Sequence, residues 1–158
     1  MQNYSSFNDI PNVGIVLDNL GPNQLSYFVI KNANQNSRSI PITLFYQNLA
    51  LPCLDTNIPV MCVNEIWPFK GKLIATSIET AIAVNNVVSE VDRYFYVNDL
   101  EWIRGKSDFI HNMQAFHSNI QIFARSKEHA QIIENYSNRK VTKILPYFDV
   151  KEIVNDKR

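Results

Sequence analysis

Glycine is scarce in this chain, with four in 158 residues. No G-x-G-x-x-G turn and no Walker-type loop can be assembled from so few, which disfavours a conventional dinucleotide or P-loop site. Cysteine is almost as rare. Cys53 and Cys62 lie in one apolar segment, at a spacing that fits no common zinc or redox pattern. The expectation is a pair of buried, reduced thiols. An excess of charge of either sign is also missing, since fifteen basic residues face fifteen acidic ones. That balance gives no electrostatic ground for nucleic acid or an anionic membrane as the main partner. No apolar run reaches the roughly 18–20 residues that cross a bilayer, so no membrane span is expected. The opening stretch, MQNYSSFNDIPN, lacks the basic-then-apolar layout of a signal peptide. A soluble, cytoplasmic protein is the default expectation.

What the chain has is apolar material: 46% of its residues are hydrophobic and 19% charged. That suffices for a core without disulfide or metal staples. The length suits one ordinary domain, expected to span residues 1–158 with 1–11 and 155–158 frayed.

The pattern along the chain alternates strands and helices. VGIVL at 13–17 is a short apolar run that reads as a buried strand. A turn with Gly21 and Pro22 follows, and LSYFVIKNANQ then offers Leu25, Phe28 and Val29 at helical spacing. PITLFY at 41–46 and IPVMCV at 58–63 are further buried-strand candidates, with prolines at their starts where proline is tolerated. KLIAT leads into IETAIAVNNVV, a helix with Ile78, Ala81, Ile82 and Val84 facing inward. RYFYV leads into LEWIRGKSDFIHNMQAFH. IQIFA leads into KEHAQIIENYSN, with Ala130, Ile133 and Tyr136 in phase, and KVTKIL is a last strand. Continuous apolar strands alternating with helices predict a mostly parallel sheet of about seven strands, covered on both faces. The fold class expected is α/β, doubly wound and Rossmann-like.

In such folds ligands bind beyond the carboxyl ends of the strands. Polar residues sit at those ends: Asn19, Gly21 and Asn23, then Asn64 and Glu65, Thr76 and Ser77, Asn98 and Asp99, and Arg125 and Ser126. Together they form the expected ligand-binding rim, suited to a polyhydroxylated ligand such as a sugar. Helix capping competes for the same side chains. Thr76-Ser77-Ile78-Glu79 and Asn98-Asp99-Leu100-Glu101 both fit capping boxes, and Ser126 suits an N-cap. Other candidates are weaker. His111, His117 and His129 share no metal-ligand spacing, so no metal is expected. No G-x-S-x-G elbow is present, and no cysteine has an evident histidine partner. Glu65 beside Trp67 offers either a sugar platform or packing. SNRK at 137–140 reads as a solvated basic turn, with phosphate contact as the alternative.

The run LIATSIETAIAV…DRYFYVNDLEWI…IQIFARSKEHAQIIENYSNRKVTKILPYFD resembles the N-terminal, acceptor-side half of GT-B type glycosyltransferases. The carrying residues are Ala75-Thr76-Ser77 with Thr80-Ala81, Tyr96-Val97-Asn98-Asp99-Leu100-Glu101, Ala124-Arg125-Ser126 and Pro146-Tyr147-Phe148-Asp149. The resemblance covers about residues 12–150 and is best after 71. It implies a Rossmann-like acceptor-binding half and a second half, not seen in this chain, that binds the nucleotide-sugar. Asp99 stands where relatives also carry an acid, which makes it the catalytic candidate. No cofactor is implied. A transferase closes two halves around donor and acceptor, and one half alone holds the reactants poorly.

Three functions follow as expectations. One is a binding module for a sugar, a nucleotide, a nucleotide-sugar or a protein partner. The second is the acceptor half of a hexosyl transferase, completed by a partner chain or as a homo-oligomer. The third is a structural or assembly protein, viral among other sources, that reuses the fold.

Overall fold

The computed structural model describes residues 11–105 and 108–156. Most of the termini expected to fray lie outside that range. Seven strands form one sheet: β1 (Val13–Leu17), β2 (Ile42–Tyr46), β3 (Val60–Cys62), β4 (Gly71–Ala75), β5 (Val91–Tyr96), β6 (Ile120–Ala124) and β7 (Lys143–Ile144). Their spatial order is β3-β2-β1-β4-β5-β6-β7, and every pairing is parallel. Winding therefore runs outward from β1 to one edge and then outward from β4 to the other. This is the expected doubly wound, Rossmann-like α/β sheet.

Among the described residues six α-helices accompany it: α1 (Gln24–Asn36), α2 (Ile78–Asn85), α3 (Glu101–Arg104), α4 (Phe109–Met113), α5 (Lys127–Ser137) and α6 (Val150–Val154). Side-chain alternation sorts the core into two layers. Val13, Ile15 and Leu17 of β1, with Ile74, Tyr94, Tyr96 and Phe123, pack against α1 and α6. Val16, Leu73, Ala75, Phe95 and Ile122 pack on the other face, against α2, α5 and the short 3-10 turn Gln114–Phe116. Because both faces are covered, β1 and β6 are buried at all ten of their positions, which is why they read as unbroken apolar runs.

Several local expectations change. Phe28 is 43% exposed, whereas Val29 faces inward as expected, with Ile30 and Ala33, and Leu25 packs partly against the core. β3 is an edge strand with only β2 beside it, so Val60 and Met61 stay partly exposed. Cys53 and Cys62 are free and half-buried rather than fully buried. The long helix expected after β5 is broken: α3 stops at Gly105, and Asp108 caps a new start at α4 by accepting the Ile110 N–H at 2.9 Å. SNRK is a solvated turn at Asn138 and Lys140, as expected, but not at Arg139. Asn138 closes α5 in the left-handed region (φ 54°). Arg139 then donates to the carbonyls of Phe116, His117, Ser118 and Ile120, fastening the loop that enters β6.

The junction between β1 and β4 is held by hydroxyls. Thr76 Oγ1 donates to Val16 O at 2.8 Å, extending the strand pairing by one polar bond past Ala75. Ser77, not Thr76, is the N-cap of α2, and its reciprocal partner is Thr80, not Glu79. Thr80 is fully buried, and its Oγ1 accepts the backbone N–H groups of Thr76 at 3.0 Å and Ser77 at 2.8 Å. Valine at position 80 would keep the shape and strand both donors. Thr80→Val is therefore expected to lose roughly 1–3 kcal/mol of stability by urea unfolding; a midpoint equal to wild type would refute this account.

Candidate functional site

The carboxyl ends of β5, β6 and β7 enclose an open cavity of about 460 Å³. Asn98, Asp99 and Leu100 enter it from the end of β5, Arg125, Ser126 and His129 from the β6–α5 turn, and Pro146 and Tyr147 from the segment after β7. A smaller recess continues from it toward Leu25 and Phe28 of α1, sharing Asn98, Arg125 and Tyr147. Tyr147 is 76% exposed and stands free at the mouth.

Each wall has a local cause. Tyr96 is buried below, and its hydroxyl donates to Leu145 O at 3.3 Å, tying β5 to the strand-exit of β7. Burial pushes its pKa up to about 12, against the pull of Arg125, so it stays neutral. Arg125 reaches back across the sheet edge and donates to Asn98 O at 3.3 Å. Ser126 caps α5, as expected, by accepting the His129 N–H at 3.1 Å. His129 Nδ1 accepts the Arg125 N–H at 3.2 Å. Burial, and then the Arg125 charge, hold the imidazole below its usual range, with Asp99 opposing them. The ring is therefore neutral near pH 7, with Nδ1 as acceptor and the proton on Nε2.

The N-terminus of α5 points at this cavity from a turn with its own acceptors. Glu128 accepts its own backbone N–H and the Ser126 hydroxyl, which lowers its pKa. With the His129 N–H also taken, the helix end is supplied with negative charge and acceptors from within. Asp99 and Arg125 add one charge of each sign, and Arg104 pairs with Asp99 at 3.2 Å. The lining mixes polar and apolar groups and carries one acidic and one basic side chain.

Asn98-Asp99-Leu100-Glu101 does not form a capping box. The N-cap position of α3 is Leu100, with no side-chain bond, and Asp99 accepts the Leu100 N–H beside it at 2.9 Å. Glu101 serves another helix: its carboxylate accepts the Ile78 N–H at the start of α2, at 3.1 Å. Beside it, the Ser77 hydroxyl donates to Asp18 at 2.8 Å. Asp18, Ser77 and Glu101 thus meet where the winding of the sheet reverses, the crevice where doubly wound sheets place ligands. Glu101 as a whole residue is exposed, yet its carboxyl is crowded. Burial of that carboxyl raises its pKa to about 7; the Ile78 N–H opposes this, and Asp18, Asp99 and Glu79 add to it.

The rest of the expected rim is dispersed. Asn23 caps α1 by accepting the Ser26 N–H at 2.9 Å, and Asn19 accepts the Gly21 N–H at 2.9 Å. Gly21 is buried in that turn. Asn64 and Glu65 lie in the 3-10 turn after edge strand β3, at the opposite edge of the sheet from Ser126. Thr76 is buried and spent on Val16. Of the expected residues, the cavity gathers Asn98, Asp99, Arg125 and Ser126, while Ser77 joins Glu101 at the switch point. Nothing in the spacing of His129 announces its place in the cavity. Among the described residues, no group of three or more His, Cys, Asp or Glu side chains is placed to hold a metal ion. No helix among them is long and apolar enough to cross a membrane.

Comparison with protein-family models, with curated proteins and with solved structures found no match.

Glu101 makes stability depend on pH. Its folded pKa lies above the usual 4.5, so its stabilising contribution is complete below 4.5 and is lost as pH rises through about 7. Across that window wild-type stability is expected to fall by on the order of 1 kcal/mol, allowing for solvent screening. Glu101→Gln keeps an acceptor for Ile78 and should flatten the fall. Urea unfolding at several pH values checks it; an unchanged slope in the variant would place the effect elsewhere.

Proposed function

We propose that this protein is a glycosyltransferase-like binding module that takes an uncharged sugar at the carboxyl edge of its sheet. The observation that carries the reading is the convergence of Asn98, Asp99, Arg125 and Tyr147 on one open cavity. A carboxylate and a guanidinium offer acceptor and donor to vicinal hydroxyls, and an exposed tyrosine ring offers a face to the C–H side of a pyranose. The lining carries one acid and one base, and the Glu128 and His129 N–H groups at the α5 terminus already have acceptors, which favours a neutral ligand over a diphosphate. The open form of the cavity fits weak, reversible binding or a surface that another chain completes.

A second reading rests on Glu101. A carboxyl with a pKa of about 7, at the switch point and next to Asp99, could take a proton from an acceptor hydroxyl. That is the acceptor half of a transferase, in need of a donor-binding partner. Asp99, first choice as catalyst on the resemblance, is paired with Arg104 and would then serve to contact the sugar.

The test is an amide NMR titration with methyl α-D-glucopyranoside and, separately, with UDP-glucose. Saturable shifts are expected at Asn98, Arg125 and Tyr147 with the simple glucoside, and Asp99→Ala should weaken binding at least tenfold while leaving the fold intact. Silence at all three residues with both ligands would remove the sugar reading. Saturation by the nucleotide-sugar alone would move the site to the diphosphate.

A further inference from the structure

The recess beside the carboxyl-edge cavity holds about 80 Å³, and the two spaces share Asn98, Arg125, Pro146 and Tyr147 along their border. Their chemistry differs on either side of that border. Asp99, Ser126 and His129 line only the larger space. Leu25, Phe28, Tyr96 and Phe148 line only the recess, with Gln24 as the one amide among them. A hydroxyl-rich ligand finds partners in the first space and few in the second.

Four aromatic rings meet at the recess: Phe28 from α1, Tyr96 from the end of β5, and Tyr147 and Phe148 from the segment after β7. Two of them are fixed. Tyr96 and Phe148 are buried and pack edge to face, with centroids 5.4 Å apart. The bond from the Tyr96 hydroxyl to Leu145 O holds that pair in place. The other two rings are not used by the core. Phe28 is 43% exposed, and its ring neighbour is Tyr27, in a T-shaped contact at 5.5 Å. The core contact of α1 is already made by Val29, Ile30 and Ala33. Tyr147 is 76% exposed and has neither a ring contact nor a hydrogen bond among the described residues. Two rings left in water, from distant parts of the chain, stand over a floor of two more. Contiguous apolar surface of this kind marks a contact with something else. Size decides what that is. Sites for whole small molecules measure roughly 300–1,000 Å³. The recess is far below that range, and the cavity it borders, at about 460 Å³, is within it. The recess therefore suits a substituent of a ligand seated next door, not a ligand of its own.

We infer that the ligand of the carboxyl-edge site is a glycoside with an aromatic aglycone, its sugar in the larger cavity and its aryl ring in the recess against Phe28. This rests on the sugar reading given above and adds the part of the ligand that reading leaves open. Phe28 is then the residue that selects the aglycone, because an aryl ring gains edge or face contacts there that a methyl group cannot make.

Amide NMR titrations with phenyl and methyl α-D-glucopyranoside test it. The phenyl glucoside is expected to bind roughly tenfold more tightly. It should shift the Leu25 and Phe28 amides, which the methyl glucoside leaves still, while both ligands shift Asn98. Phe28→Ala should bring the ratio of the two affinities close to one, and Phe28→Trp should keep the preference, which separates loss of the ring from a disturbed α1. Equal affinities in the wild type overturn the inference and leave the sugar reading standing, and so does a preference that survives in Phe28→Ala. Silence with both glucosides overturns the two together. Phenol that saturates the Phe28 amide as tightly as its glucoside does also overturns it, since the recess would then bind without the sugar.

Discussion

Everything at the carboxyl edge depends on how β1 and β4 lie side by side. The chain winds outward in one direction from β1 and in the other from β4, so this pair is the seam of the sheet. Apolar burial can bring two such strands together but cannot set where each one ends. Hydroxyls do that here. Thr76 bonds the last part of β1, Ser77 starts α2, and Thr80 gathers both of their N–H groups in a fully buried position. Asp18 and Glu101 then converge on the same turn from β1 and α3. Polar groups buried with every partner in place specify one geometry, because any slip leaves a donor unmatched in a low-dielectric interior.

The two ends of the sheet differ in how their charges are used. At the carboxyl edge, side chains of opposite sign face a common space, and the backbone donors of α5 have local acceptors. At the amino edge, the ammonium of Lys72 is engaged with Val154 O, the Tyr94 hydroxyl and Asp92, and the buried Gln121 Oε1 stays unmatched among the described residues.

The sheet was legible in the sequence because it is buried on both faces. VGIVL and IQIFA read as interior strands, and seven short apolar runs, most of them separated by helical patterns, leave few topologies open. Edge position was less legible: nothing in VMC distinguishes a strand with one neighbour from a strand with two. Capping was half legible. Ser126 and the region of Ser77 follow local rules, but the choice between Thr76 and Ser77, and the reach of Glu101 to a different helix, are tertiary decisions that spacing does not encode. For the same reason the rim proved too broad. Asn19 and Asn23 serve the turn before α1, whereas Asn98 and Arg125, twenty-seven residues apart, are brought into contact by the pairing of β5 with β6. His129 gains its character only from the cavity it lines.

Arg139 and Arg93 carry one more consequence. Arg139 grips the carbonyls ahead of β6, and Arg93 donates to those of Val84 and Val87. A guanidinium committed this way still contributes its charge to the distant field, but its directional donors are spent inside the fold. The number of arginines therefore overstates this molecule's ability to grasp an anion. Its long-range attraction and its short-range grip are separate quantities, and salt would screen the first while leaving the second nearly untouched.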